Sequence, residues 1–182
     1  MLLLFQLYTA VRPSEARLAT WNEIDLEKGI WKIPANRMKN EKPHWVTFSK
    51  QILKALKEFK GNKEKGLCFT GQRGIEISRR TINSLIKSIG YENIITPHGF
   101  RGTFPTIAND LRDEHGLAND IVQVCLAHQT QNKVASAYNH SDHKKERAKL
   151  LGWWADKLGE IDFKKLKENS IYRVERNAGF FL

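Results

Sequence analysis

Two arginines, two histidines and a tyrosine are the residues of this sequence whose types and spacing could do chemistry together. Four of them lie in the segments TPHGFRGTF, CLAH and SAYNH, and the fifth lies upstream in TAVRPSEA. The first histidine and its neighbouring arginine are three residues apart, which puts both on one face of a helix. A guanidinium donates two parallel hydrogen bonds to phosphate oxygens. The set therefore indicates a phosphate-binding site rather than a metal site or a hydrolase triad, and its members are Arg12, His98, Arg101, His128 and Tyr138.

Tyr138 is the candidate nucleophile of this set. A tyrosine hydroxyl has a pKa of about 10, so it attacks poorly unless nearby cations favour the phenolate. Arg12 and Arg101 could supply that field and stabilise the charge that develops on phosphorus. His128 could donate a further hydrogen bond. Taken singly, the tyrosine is equally a core aromatic and the histidine a buried ring satisfied by backbone, so the inference depends on the joint pattern.

The composition favours a polyanionic partner. The chain has 182 residues, 41% of them hydrophobic, with a net charge of +10 and a pI near 9.7. One domain with a sizeable core is expected at this length. The excess of positive charge favours nucleic acid over an acidic membrane surface. Cys68 and Cys125 form no C-x-x-C pair, which is typical of free thiols in a reducing cytoplasm.

The elements that must position these residues are predicted to be mostly helical. Apolar periodicity and capping residues predict helices over 2–11, 13–21, 49–59, 78–90, 100–114, 118–127, 133–139 and 142–158. Three extended pieces, 22–26, 29–34 and 44–48, predict a small antiparallel β-sheet near the N-terminus, and Lys39 lies in its last hairpin loop. Pro105 is tolerable only in the first turn of its helix. The fold class is therefore α+β, and the apolar opening indicates that the chain begins inside a larger protein.

The motif text resembles that of the tyrosine recombinases, or phage-type integrases, from residue 2 to about 158. Arg12, followed by Glu15, matches the family's first arginine motif; HGFR matches its H-x-x-R box and CLAH its L-G-H motif. The nucleophile then falls on Tyr138, and the β-hairpin lysine on Lys39 in RMKN. Ala127 departs from the usual glycine, Gly102 from a bulkier residue, and a proline enters the helix after the box.

The resemblance implies a mechanism. Tyr138 attacks a scissile DNA phosphate and forms a 3′-phosphotyrosyl link, while the 5′-hydroxyl leaves. Arg12 and Arg101 clamp the non-bridging oxygens with support from His128, and His98 accepts the tyrosine proton or orients the phosphate. This scheme uses no metal, ATP or other cofactor.

The leaving oxygen also needs a proton, and the resemblance assigns its donation to Lys39, with Lys42 as the rival. The resemblance further implies a single catalytic domain over 1–182 without its N-terminal core-binding and arm-binding domains, and a tail over 160–182 that packs on a neighbouring protomer. The expected partners are double-stranded DNA attachment sites, a homotetramer on that DNA, and accessory DNA-bending or excision proteins. The expected location is the bacterial cytoplasm, at the nucleoid and not at a membrane.

Two other functions stay open at this point. A non-catalytic integrase fragment would hold DNA without cutting it, and a type IB topoisomerase would relax DNA through the same chemistry without exchanging partners. His140 and His143 form an H-x-x-H, but no further Cys or His pattern completes a zinc site.

Overall fold

The computed structural model describes residues 1–71, 74–128 and 143–159. Within these ranges the chain is mostly helical and carries one small sheet, as predicted. The α-helices are α1 Leu2–Thr9, α2 Pro13–Arg17, α3 Lys50–Lys60, α4 Arg79–Ser88, α5 Pro97–Asp110, α6 Arg112–His115, α7 Asn119–Cys125 and α8 Lys144–Gly159. Short 3-10 helices cover Trp21–Glu23 and Ala35–Arg37. The predicted helix over 133–139, and with it Tyr138, lies outside the described residues.

The sheet has three antiparallel strands in the order β1 Ile24–Asp25, β2 Ile30–Ile33 and β3 His44–Thr47. In the β2–β3 pair Trp31 lies opposite Val46 and Ile33 opposite His44. All four side chains are buried, because alternate residues of a strand face the same side. The loop of residues 34–43 joins these two strands and carries Lys39.

Side-chain caps fix where three helices begin. Ser49 accepts a hydrogen bond from the N–H of Ile52, and Ser78 accepts one from Thr81, as their positions predicted. Thr96 caps α5 in the same way. A cap of this kind satisfies a backbone N–H that has no partner inside the helix. Because α5 begins at Pro97 rather than near residue 100, His98 lies in its first turn.

Aromatic side chains hold α1 and α8 to one core. The ring centre of Phe5 in α1 lies 5.1 Å from that of Trp31 and 5.0 Å from that of Phe69. Trp154 in α8 packs edge-on against Phe104 of α5 at 5.5 Å. Its indole Nε1 donates to the Leu7 carbonyl at 2.8 Å. Helix α8 therefore covers both α1 and α5, and it buries one face made of Leu150, Leu151, Trp154 and Leu158.

Several predicted boundaries were wrong. Helix α2 ends at Arg17 rather than near Trp21, because the carbonyl of Ala19 accepts from the Cys68 N–H at 2.8 Å and Thr20 pairs with Leu67. The first extended piece shortens to β1, and Leu4 in the apolar first helix is 43% exposed.

Pro105 contradicts the prediction most directly, because it lies inside α5 and not in its first turn. A proline there removes one backbone hydrogen bond. The full burial of Phe104 and Ala108 against the core offsets that loss.

Across the described ranges, no helix is both long and apolar enough for a membrane span.

Candidate active site

Arg12 lies at the break between α1 and α2, as predicted. It occupies the N-cap position of α2, with Pro13 at the first helical position. The Glu15 carboxylate accepts from the Arg12 backbone N–H at 2.8 Å and from its Nη1 at 2.7 Å. Glu15 is buried and the arginine side chain is 23% exposed. The carboxylate therefore holds the guanidinium at the N-terminus of α2.

Arg101 is a buried cation that joins two helix ends. Its Nη1 donates to the Ala10 carbonyl at 3.1 Å, and its Nη2 donates to the Leu126 carbonyl. Ala10 is the C-cap of α1 and Leu126 that of α7, so a cation meets the carbonyl ends of two helices. Burial, with the nearby charge of Arg12, lowers the pKa of Arg101 to about 10. The group stays charged at neutral pH, and the field of two adjacent cations favours an anion.

The turn before His128 ends α7 in a Schellman motif. The His128 N–H donates to the Gln123 carbonyl at 3.0 Å, and the Ala127 N–H donates to the Val124 carbonyl at 3.1 Å. Ala127 has a φ of 52°, the left-handed conformation that this motif requires at this position. This requirement explains why the L-G-H motif, which CLAH resembles, has a glycine at this position. The substitution therefore places backbone strain directly beside the histidine.

The described contacts fix which nitrogen of His128 carries the proton. Nδ1 lies 2.8 Å from Oε1 of Gln123 and donates to it. Nε2 lies 3.2 Å from Nη2 of Arg101 and accepts from it. Burial lowers the pKa of His128, and the charges of Arg101 and Arg12 lower it further. The neutral ring thus orients the arginine, and its own N–H is used by Gln123.

His98 and Arg12 line one cavity of about 400 Å³. The same cavity is lined by Arg79 and Asn83, which project from α4. The charge of Arg12 acts on Arg101, and His98 lies about one turn before Arg101 in α5. Arg79 and Asn83 were not predicted as site residues, because the polar residues of α4 cannot be distinguished in sequence from an ordinary exposed helix face.

The hairpin loop approaches the other side of the site. Nδ2 of Asn40 donates to the Ala127 carbonyl at 3.4 Å, and Oδ1 of Asn40 accepts from the Lys42 N–H at 3.4 Å. Lys39 directly precedes Asn40 and is exposed, as is Lys42. The loop therefore places both lysines in the neighbourhood of the histidine turn without selecting between them. Tyr138, ten residues after His128 in the sequence, lies outside the described residues.

These contacts form a candidate anion-binding site of arginine and histidine side chains, assembled at helix termini of a mostly helical α+β domain. In the part of the chain that the structure describes, no group of three His, Cys, Asp or Glu residues could hold a metal ion. Solved structures share the fold. The XerA recombinase superposes with a TM-score of 0.55 at 24% identity, covering 79% of this chain and 55% of that one. The Tn1549 transposon integrase, solved with circular intermediate DNA, gives 0.54 at 16% identity, covering 81% of this chain and 55% of that one.

Sequence comparison identifies the family. Residues 1–145 match the phage integrase family. Prophage integrase IntA of Escherichia coli is 35% identical over 164 residues, which cover 88% of this chain and 39% of that protein. The integrase of Shigella phage Sf6 is 35% identical over 157 residues, covering 84% and 40%. The chain therefore belongs to the phage integrase family of tyrosine recombinases, and it spans about two fifths of the length of these relatives.

Proposed function

We propose that this chain is the catalytic domain of a site-specific DNA recombinase, an integrase of a prophage or genomic island. The observation that carries the proposal is the contact of Arg101 with His128 beside Arg12, in a chain of this family. Two adjacent cations beside an oriented imidazole suit a phosphate whose charge grows in the transition state. Because the chain belongs to the phage integrase family, the phosphate in this proposal is that of a DNA backbone.

The proposed reaction exchanges one phosphate ester for another. The hydroxyl oxygen of Tyr138 attacks phosphorus and forms a 3′-phosphotyrosyl bond, while the bond from phosphorus to the 5′-oxygen breaks. His98 accepts the tyrosine proton, and Lys39 gives a proton to the departing 5′-oxygen. Rejoining reverses these transfers with a 5′-hydroxyl of the partner strand as nucleophile. The covalent link conserves the energy of the phosphodiester, so the scheme consumes no ATP.

Arg12 and Arg101 differ in how they would meet the phosphate. Arg101 already donates three hydrogen bonds to protein groups, so it offers the remaining N–H groups of a rigid, preorganised guanidinium. Arg12 is partly exposed and lines the cavity, which lets it close on a bound oxygen. One fixed and one adjustable donor would hold the two non-bridging oxygens.

The remaining assignments concern the whole protein. We propose that core-binding and arm-binding domains belong to the longer protein, and that its active form is a homotetramer on attachment-site DNA. Residues 160–182 would pack on the neighbouring protomer. DNA-bending or excision proteins would assist, and the reaction would take place at the nucleoid in the bacterial cytoplasm.

A trapping experiment tests the proposal. The full-length protein is incubated with a nicked duplex that carries the junction sequence of its own mobile element, and the products are analysed for a protease-sensitive protein–DNA adduct. The wild type should form the adduct, and Tyr138→Phe should not, although it should bind the duplex equally well.

Each alternative predicts another result. A wild-type protein that binds the duplex without any adduct would be a non-catalytic binding module, and an adduct that survives Tyr138→Phe would move the nucleophile elsewhere. Relaxation of supercoiled plasmid without site preference would indicate a topoisomerase.

A further inference from the structure

Three consecutive carbonyls at the end of α7 bond to side chains from three other elements. The Cys125 carbonyl lies 3.1 Å from Nε2 of His44 in β3, which donates to it. The Leu126 carbonyl accepts from Arg101 of α5. The Ala127 carbonyl accepts from Asn40 of the hairpin loop. Carbonyls at a helix end have no partner inside the helix, and here each is taken by a side chain from elsewhere.

His44 is the buried member of this set that the proposed chemistry does not use. It begins β3 with its ring turned into the core, and it is 5% exposed. Desolvation, together with the charges of Arg147, Arg101 and Arg12, lowers the pKa of His44 to about 3, against the opposing hydrogen bond to Cys125. The ring is therefore neutral, and its Nε2–H is a permanent donor to the turn.

Trp45, the residue after His44 in β3, binds α8, the helix that follows Tyr138 in the sequence. The Trp45 carbonyl accepts from Nη1 of Arg147 at 2.6 Å. Arg147 lies in the first turns of α8, and its N–H donates to the His143 carbonyl at 2.8 Å. Two adjacent residues of one strand thus fix the turn before the nucleophile's segment and the helix after it.

We infer that His44 is a positioning residue of the recombination reaction: its hydrogen bond to the Cys125 carbonyl, together with that of Asn40, locks the turn of residues 125–128 to the hairpin that carries Lys39. The inference rests on the proposed function, because it treats the turn of residues 125–128 and the hairpin as two sides of one phosphate site. The two hydrogen bonds join them into a single rigid unit. An apolar side chain of similar size would fill the space but leave the carbonyl without a donor. The turn could then move relative to the hairpin.

Four variants of the full-length protein separate this role from simple packing. His44→Met removes the donor and keeps the bulk, whereas His44→Gln returns an N–H donor at similar reach. Asn40→Ala removes the second contact at a partly exposed position. Asn36→Ala is the matched control, an exposed asparagine of the same loop. Each is assayed for the rate of adduct formation, the Kd for the nicked duplex, and the ¹⁵N shifts of the His128 ring.

His44→Met should lower the rate of adduct formation about ten- to hundredfold, the scale of a small misplacement of reacting groups. It should leave the Kd for duplex unchanged and broaden the single Nδ1–H tautomer of His128 into a mixture. His44→Gln should restore most of the rate and the tautomer. Asn40→Ala should show a smaller loss of the same kind, and Asn36→Ala none.

Two results would overturn the inference: a His44→Met protein as fast as the wild type, or a His44→Gln protein as impaired as His44→Met. Failure of the proposed function looks different, because the wild type itself would then give no adduct. In that case the ring shifts of His128 still decide the positioning role. Identical shifts in the wild type and His44→Met would refute it.

Discussion

The arrangement around His128 shows how one imidazole would serve the proposed phosphate site without touching the phosphate. Gln123 accepts from Nδ1, so Nε2 is left with its lone pair facing Arg101. An arginine held in this way loses little freedom when it binds an oxyanion. The sequence predicted that His128 donates to the phosphate. Its contacts indicate a competing role, in which the ring orients the guanidinium of Arg101.

His44 gives the protein a defined acid sensitivity. Its pKa is about 3 in the fold and about 6.5 in the unfolded chain. The unfolded state therefore binds more protons between these values, so the stabilising contribution is complete above pH 6.5 and is lost as the pH falls toward 3. The free energy of unfolding should drop by about 2 kcal/mol more in wild type than in His44→Gln between about pH 7 and about pH 5. Urea denaturation at the two pH values measures this, and parallel losses in both proteins would contradict it.

The choice between Lys39 and Lys42 as general acid can be decided with a changed leaving group. A sulfur in place of the bridging 5′-oxygen leaves as a thiolate. The corresponding thiol has a pKa of about 8.5, so the thiolate can leave without a proton from a general acid. Lys39→Ala should cleave the normal duplex slowly, on the order of 100-fold below wild type, and the sulfur-bridged duplex at nearly the wild-type rate. Lys42→Ala is the matched control and should cleave both well. Rescue of Lys42→Ala alone would exchange the two assignments.

At the scale of elements, the end of α7 carries a removable strain. Ala127 adopts a φ of 52°, which costs a residue with a Cβ about 1–2 kcal/mol. Ala127→Gly should therefore raise the free energy of unfolding by about 0.5–1 kcal/mol, since glycine's greater freedom in the unfolded chain takes back part of the gain. Ala148→Gly, at an exposed position inside α8, should lower it by about 1 kcal/mol. Thermal or urea unfolding of both variants checks the opposite signs.

The elements that the sequence predicted well are those governed by local rules. Ser49 and Ser78 begin helices because a short polar side chain next to an apolar repeat caps the first turn. The position of Pro105 in its helix was predicted wrongly. The sequence shows only the cost of a proline inside a helix, whereas the burial of its neighbours, which outweighs that cost, appears only in the fold. Packing that comes from the whole molecule overrides propensity at such positions.

The candidate site divides in the same way. The motifs placed Arg12 beside Arg101, and the structure reports the electrostatic effect of one upon the other. The bonds from His44 and Asn40 to the turn of residues 125–128 could not be read from the sequence, because they join residues more than eighty positions apart. Backbone carbonyls leave no signature in residue type, so such contacts appear only when the chain is folded.

At the scale of the whole molecule, the net charge of +10 favours a polyanion. The cavity indicates which side of the molecule that polyanion would meet. Arg79 of α4 shares the cavity with Arg12 and His98, and it is exposed. A duplex whose scissile phosphate sits at the arginines would therefore bring a neighbouring phosphate to this side chain. Phosphate contacts of this kind position a duplex without reading its sequence.

Arg79→Ala should therefore weaken binding to specific and unrelated duplexes by a similar factor. It should also make the plot of log K against log salt concentration shallower by about one unit, because one fewer counterion is released. Arg112→Ala removes the same charge from an exposed position on α6, outside the cavity, and should leave the slope unchanged. Titrations of the full-length protein at several salt concentrations measure both. Equal slopes for wild type and Arg79→Ala would place the duplex away from α4, whereas a loss confined to the specific duplex would make this arginine a reader of bases.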